Sequence, residues 1–383
     1  MRLRAALVAS RMPSDTFAVV VPPHDGAHDA SNDRTHFASL KRRTEAYAST
    51  LLRARPSSAR RHGTIRALSW NCQLLRGVGP AQGGRPRDLM KRAQKIGAQI
   101  AAIAETIDVV CLQEVWHDAS RRELTRRLIE GGFDYVYAPK HRCGLLVASK
   151  RSQVCNMFSP FPSRGMEALF FTKGCTTTLL RLSDASTAAE SKTRVAVVLN
   201  AHAQSDFWSS GASVRCEQFQ KIRLVMDRAV EECQGNGYVV DRILLCGDLN
   251  VACNSDEYEA MMRGPFFGAV DLMLPPQNPI SSPPVAPGES DRRNTFPTGR
   301  WRHNFLACCG GSPSGYEESI PRVRLDYVLD LTPLITRSEP THAHVDEGFV
   351  HQQLLRGVDG EVLSDHAPIV AFSSTYVASC QEL

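Results

Sequence analysis

Short apolar runs that stop abruptly at polar residues constrain this 383-residue chain more than any other feature. Leu68-Ser69-Trp70 ends in Asn71, and Val109-Val110-Cys111-Leu112 ends in Gln113-Glu114. Val197-Val198-Leu199-Asn200-Ala201 ends in His202, and Leu244-Leu245-Cys246-Gly247 ends in Asp248-Leu249-Asn250. Arg324-Leu325-Asp326-Tyr327 and Ser364-Asp365-His366-Ala367-Pro368 supply two more acids and a second histidine. Runs this short and this apolar read as strand candidates, to be covered by helices.

The segments between the runs supply those helices. Leu89, Ala93, Ile96, Ile100 and Ile103 recur at helical spacing and place one apolar stripe on a helix. Ser120 and Glu123 read as a capping box, opening a helix that buries Leu124 and Leu128 and stops at Gly131-Gly132. Further helices are predicted over 214–232 and 255–263, and further strands over 135–138, 145–149, 325–329 and 369–372. Residues 275–300, rich in Pro, Ser and Gly, read as a long loop. Many strands with helices between them predict an α/β sandwich, sheets inside and helices outside. No internal repeat is visible.

Charge divides the chain. Residues 1–62 hold eleven Lys/Arg and five Asp/Glu, so the remainder of a chain of net charge +5 carries about −1. Residues 1–62 are expected to be a basic, disordered tail, 63–376 one globular domain, and 377–383 a second tail. The domain lacks the basic excess of a typical nucleic-acid enzyme, which weighs against nucleic acid as substrate. No stretch approaches the roughly 20 apolar residues of a membrane span, so a membrane would be met at its surface. Met1 to Met12 contains Arg and no acid; an unstructured tail fits it better than a transit peptide. The twelve cysteines form no Cys-x-x-Cys pair, which argues against structural zinc. Free thiols are expected, with an intracellular location, cytoplasmic or peripheral to a membrane.

Taken singly, each polar strand end has an ordinary explanation, since Asn after a strand is usually a turn residue. Taken in order they do not. Trp-Asn, Leu-Gln-Glu, a strand-end His, Gly-Asp-x-Asn, Asp-Tyr and Ser-Asp-His together resemble the endonuclease/exonuclease/phosphatase superfamily over about residues 65–373. The resemblance implies a four-layer α/β sandwich of two packed, mostly antiparallel sheets flanked by helices. It also implies a magnesium-dependent phosphodiesterase, with manganese able to substitute. The flanking segments are most similar to neutral sphingomyelinases. They are Leu112-Gln113-Glu114-Val115, Gly144-Leu145-Leu146-Val147-Ala148-Ser149-Lys150, Thr172-Lys173-Gly174, His202-Ala203-Gln204 and Val214-Arg215-Cys216-Glu217-Gln218-Phe219. The chain departs from that group at Ala201, where the group has Thr; at Arg142, where it has Asn; and at Ala168, where it has an acid.

Roles follow from the resemblance. Glu114 and Asn71 are the expected metal ligands, because magnesium is a hard cation that takes oxygen donors. His366 is the expected general base, oriented by Asp365. Asp248 and Asn250 would position the nucleophile and a phosphate oxygen. His202 would donate to the phosphoryl group, with Asp326 orienting it. Lys173 would add positive charge, a solvated surface lysine being the equal alternative. A choline head group favours an aromatic cage, for which Trp116, Phe207, Trp208 and Trp301 are candidates. The expected substrate is thus a phospholipid, sphingomyelin, at a membrane surface. Phe207 and Trp208 are either a lipid-touching loop or core filler. A nuclease or deadenylase of the same superfamily remains the alternative, and a non-catalytic scaffold is disfavoured because all seven motif residues are present.

Overall fold

The computed structural model describes residues 64–75, 86–140, 143–162, 168, 171–183, 192–206, 211–253, 255–272, 296–297, 322–323, 325–336, 347–350, 363–364, 366 and 368–373. Both expected tails lie outside the described residues.

One sheet has the order β13-β14-β1-β2-β4-β3. Its strands are β1 (Ile65–Asn71), β2 (Val109–Gln113), β3 (Tyr135–Tyr137), β4 (Leu146–Ser149), β13 (Glu347–Val350) and β14 (Ile369–Ser373). The second has the order β5-β6-β7-β8-β12-β9. It comprises β5 (Gln153–Pro160), β6 (Gly174–Ser183), β7 (Arg194–His202), β8 (Val239–Asp248), β9 (Val270–Asp271) and β12 (Asp326–Asp330). A small ribbon pairs β10 (Phe296–Pro297) with β11 (Arg322–Val323), the first of which falls inside the expected long loop. The helices are α1 (Pro86–Ala102), α2 (Asp118–Glu130), α3 (Gly211–Gly235), α4 (Asp256–Arg263) and the single turn α5 (Pro333–Thr336).

Three apolar layers make four layers of structure. Ala93, Ile96, Ile100, Leu124 and Leu128 of α1 and α2 pack against Leu68, Trp70, Val110 and Leu112 on the outer face of the first sheet. Phe219, Ile222, Met226 and Ala229 of α3 do the same against Val197, Leu199, Ile243 and Leu245 of the second. Ala67, Val109, Val147, Val198, Leu244 and Val328 fill the space between the sheets. Strand alternation explains the division: Val197 and Leu199 face α3, while Ala196 and Val198 face the opposite sheet. Strands buried on both faces are why these runs read as continuously apolar.

Within each sheet one pair is parallel, β1–β2 and β7–β8, and the other pairs described are antiparallel. Each parallel pair is joined through a helix, α1 in one case and α3 in the other. The two halves are therefore built alike, although no sequence repeat announces it. All four carboxyl ends lie at one rim of the sandwich, which is where the chemistry-bearing motifs occur.

A buried polar bridge ties the sheets together. Gln113 Nε2 donates to Asn200 Oδ1 at 2.8 Å, and Asn200 Nδ2 reaches Leu112 O at 3.1 Å and Leu146 O at 3.2 Å. Both residues are fully buried. Near the rim, Gly247 has φ +148°, and a Cβ there would lie 2.0 Å from Ala201 O. Its glycine serves the close approach of β7, where the sequence suggests only a turn.

Two local expectations change. α2 begins at Asp118, capped by His117, whose Nδ1 accepts from Ser120 N. Glu123 turns instead to Arg126 and Arg127, so the capping box does not form. β5 and β6 are absent from the expected strands. β5 is an edge strand with half-buried side chains and no clean alternation, and the polar Thr176, Thr177 and Thr178 break the apolar run in the buried part of β6.

Asn200→Ala removes the bridge: Gln113 Nε2 loses its shortest hydrogen bond, and the carbonyls of Leu112 and Leu146 lose a buried donor. It should lower stability by about 2–4 kcal/mol, read as a fall in urea midpoint with unchanged slope.

Candidate active site

Strand register assembles the site. Gly174 of β6 pairs with His202 of β7, His202 with Asp248 of β8, and Asp248 with Asp326 of β12. One rung at the rim of the second sheet thus carries His202, Asp248 and Asp326 side by side, with Lys173 one residue before the rung. In the first sheet Asn71 pairs with Gln113, which brings Asn71 beside Glu114. The two rims face each other, and Asn71 spans the gap: its Nδ2 lies 2.9 Å from Asp248 Oδ2 and 3.2 Å from Glu114 Oε1.

Backbone geometry turns these side chains inward. Glu114 has φ +57° and Asn250 φ +54°, both in the left-handed region that side-chain-bearing residues seldom adopt. Asn250 is held there by an Asx turn, its N–H donating to Asp248 Oδ1 at 2.9 Å, while its Nδ2 donates to Ala203 O at 3.0 Å. Leu74 N donates to Glu114 O and Cys72 N to Gln113 O, so the chain beyond β1 zips onto the chain beyond β2. Arg92 of α1 closes this turn by donating to the carbonyls of Cys72 and Gln73.

His366 enters from the chain before β14. Trp70 Nε1 donates to His366 O at 2.9 Å, and Ser364 Oγ donates to Asn71 O at 2.6 Å. His366 Nδ1 lies 2.8 Å from Asp326 Oδ2, and its Nε2 points to Asp248 Oδ2 at 3.7 Å. The expected partnerships are thereby redistributed: Asp326 orients His366, not His202. Asp365, the expected orienter, lies outside the described residues, as do Phe207, Trp208 and Trp301.

On the opposite side, His202 Nε2 is 3.8 Å from both Glu114 Oε1 and Asp248 Oδ2. Lys173 Nζ approaches that nitrogen to 3.1 Å and donates to Ala203 O at 2.6 Å. Lys173 is only 3% exposed, so it is no surface lysine. Burial, then Lys173 and His366, hold His202 well below the usual imidazole range. With an ammonium donor beside it, Nε2 acts as the acceptor of a neutral ring. Trp116 stacks at a tilt on Phe171 with centroids 4.6 Å apart, and sits 6.5 Å from the His202 ring. Gly144 makes room for it: a Cβ there would come within 2.7 Å of the indole. Phe171 is a site-wall residue that the sequence did not single out. Its position two residues before Lys173 was the available signal.

Burial pushes the Asp248 carboxyl up to about 6, with Asp326 adding to the rise and His366 and Asn71 opposing it. Glu114, Asp248 and Asp326 place three carboxylates against one ammonium, a balance that fits a divalent cation. Ligand atoms of Asp248, Asp326 and His366 also lie within 4.8 Å of one another. Glu114 fits the expected ligand role directly. Asn71 presents its nitrogen to the carboxylates and its Oδ1 to Gln73 N at 3.1 Å. It would serve as an oxygen ligand only with the amide reversed.

The model of the Endonuclease/Exonuclease/phosphatase family matches residues 68–366. The chain belongs to that family. A search of curated proteins returned no match. Sphingomyelinase C from Streptomyces griseocarneus is similar in structure, with a TM-score of 0.52 and 21% identity, covering 82% of this chain and 100% of its own. Beta toxin from Staphylococcus aureus, in a doubly substituted form with bound magnesium ions, has a TM-score of 0.52 and 17% identity over 81% of this chain and 100% of its own. D. rerio TDP2 complexed with single strand DNA product has a TM-score of 0.49 and 15% identity over 82% of this chain and 100% of its own. At these identities the first two likenesses establish the family fold.

The Asp248 shift has a consequence for stability. The unfolded aspartate titrates near 3.8 and the folded one near 6, so folding takes up a proton between those values. Stability of metal-free protein should therefore fall as pH rises from 4 to 6, through that window. Asp248→Asn should flatten this part of the thermal-midpoint profile, measured in chelator; an unchanged slope would remove Asp248 as its source.

Proposed function

We propose that this chain is a magnesium-dependent phosphodiesterase that hydrolyses sphingomyelin to ceramide and phosphocholine. One observation carries the reaction class: Asn71 and Glu114 from one sheet and His202, Asp248, Asp326 and His366 at the opposing rim converge on one buried polar wall.

Glu114 would hold the ion, with Asn71 beside it. When bound, magnesium offsets charge on the phosphoryl oxygens and stabilises the leaving alkoxide. His366 takes the proton from the attacking water at Nε2. Asp326 holds the Nδ1–H at 2.8 Å and so fixes the tautomer that leaves Nε2 basic. Asp248 and Asn250 direct the water and one phosphate oxygen. Lys173 and His202 offer the phosphate a cationic, hydrogen-bonding side. The general base is asked for about 10²–10⁴-fold of the acceleration.

Three features support a zwitterionic lipid. The sequence beyond residue 62 carries almost no net charge. The Trp116–Phe171 pair puts aromatic surface beside His202, suited to a quaternary ammonium. The flanking segments resemble neutral sphingomyelinases, and two structural neighbours are a sphingomyelinase and a toxin with bound magnesium. The described residues contain no helix long and apolar enough to cross a membrane, so the lipid would be met at its surface. A nucleic-acid diester would use the same residues; the near-zero net charge of the sequence beyond residue 62 is what disfavours it.

Purified protein offered sphingomyelin, lysophospholipids and oligonucleotides should cleave sphingomyelin with magnesium and not with chelator. Absence of chelator-sensitive cleavage of all of them would overturn the reaction class, and cleavage of oligonucleotide alone would overturn the lipid. His366→Ala should lower turnover by at least about 10²-fold, and near-normal turnover would remove it as the base.

A further inference from the structure

The buried face of α3 holds two polar residues that the reaction above does not use. Val214, Arg215, Gln218, Phe219 and Ile222 are all buried on this helix. Both polar residues are committed to the chain just beyond His202.

Gln218 is fully buried. Its Oε1 accepts from Gln204 N at 2.9 Å, and its Nε2 donates to Pro162 O at 2.9 Å. Gln204 lies two residues past His202. Pro162 follows Phe161, whose N–H donates to Lys173 O at 2.9 Å. One amide therefore joins the segment bearing His202 to the segment bearing Lys173, whose side chains meet at 3.1 Å.

Arg215 fixes the same turn from below. Its Nε and Nη2 each donate to Glu257 of α4 at 2.6 Å. Its Nη1 donates to Gln204 O at 2.9 Å and Asp206 Oδ1 at 2.8 Å, and Nη2 also reaches Asp206 Oδ2 at 3.1 Å. All five guanidinium N–H groups are used. Gly211 opens α3 because a Cβ there would lie 2.3 Å from Asp206 Oδ1 and 2.6 Å from Arg215 Nη1. Only the guanidinium of this triad is buried, Asp206 being 68% exposed, and ion pairs that reach solvent add little to stability. What it offers is one defined geometry for residues 203–206.

We propose that Arg215 and Gln218 are positioning residues: they clamp the turn after His202 and set the His202 ring against Lys173. The inference rests on the reading of His202 as a phosphate-facing group. Misplacement of a reacting group by about 1 Å can cost about 10²-fold, so a clamp distant from the phosphate can govern turnover.

The probe is bis(p-nitrophenyl) phosphate with magnesium, which any phosphodiesterase of this class can be offered. Gln218→Met keeps the length of the side chain and removes both hydrogen bonds. It should lower kcat about tenfold or more with KM changed less than about threefold. Gln218→Glu keeps the acceptor for Gln204 N and should recover part of the loss. In a His202→Ala background, Gln218→Met should add less than about threefold, because it acts through His202. A general structural role would instead multiply with His202→Ala and would overturn the clamp. If His202→Ala keeps wild-type kcat, the reading of His202 fails. If it is inactive while Gln218→Met is unimpaired, only the clamp fails. Should Gln218→Met not fold, Arg215→Lys, which keeps the charge and loses the fork, is read by the same criteria. Failure of all three variants to fold would make α3 purely structural and overturn the proposal.

Discussion

The site exists only while two sheets face each other in one register, and the Gln113–Asn200 bridge is a fully buried directional contact that holds them there. Apolar packing between the sheets is strong but tolerant of sliding, because Val against Val has no preferred partner. An amide buried in that layer is not tolerant, since any slip strands its donors. Above the bridge, Asn71 meets Asp248 and Glu114, and the two rims become one wall. Each sheet contributes a parallel pair joined through a helix, and each pair delivers its motifs at carboxyl ends. Strand polarity thus gathers residues from 71 to 248 at one edge before any side chain is considered.

Burial then sets the electrostatics. Asp248 is 1% exposed, and removal from water makes its carboxyl a weak acid, near 6. The same burial, with Lys173 at 3.1 Å, keeps His202 neutral. Two histidines in one pocket therefore differ in partner: Asp326 grips one, and an ammonium faces the other. Such divergence gives the two imidazoles different electrostatic surroundings within one site. The excess of carboxylates also explains why the wall suits a divalent cation.

Much of this was legible in the residues. Strands buried on both sides must be apolar throughout, so a polar residue interrupting them at the end is conspicuous. That is how Asn71, Glu114, His202 and Asp248 catch the eye; that they form one set with Asn250, Asp326 and His366 rested on the order of the motifs and its resemblance to a known family. β5 was not legible, because a half-buried edge strand has no pattern to read. Neither was the His117 cap, because the cap competed with a plausible capping box at Ser120 and Glu123. The pairing of Asp326 with His366 depends on which strand lies beside β8, a long-range fact that local sequence does not encode.

Residue type and apolar pattern were enough to dictate most of the alternation of strands and helices, β5 and β6 excepted, together with the set of chemical groups and their order along the chain. The partnerships arose only when the sheets packed: Asp326 with His366, Lys173 with His202, and Arg215 and Gln218 with the turn beyond His202. Register is the cause. Sliding β8 against β7 or β12 by one residue would turn Asp248 away from this wall and leave composition, periodicity and motif order unchanged.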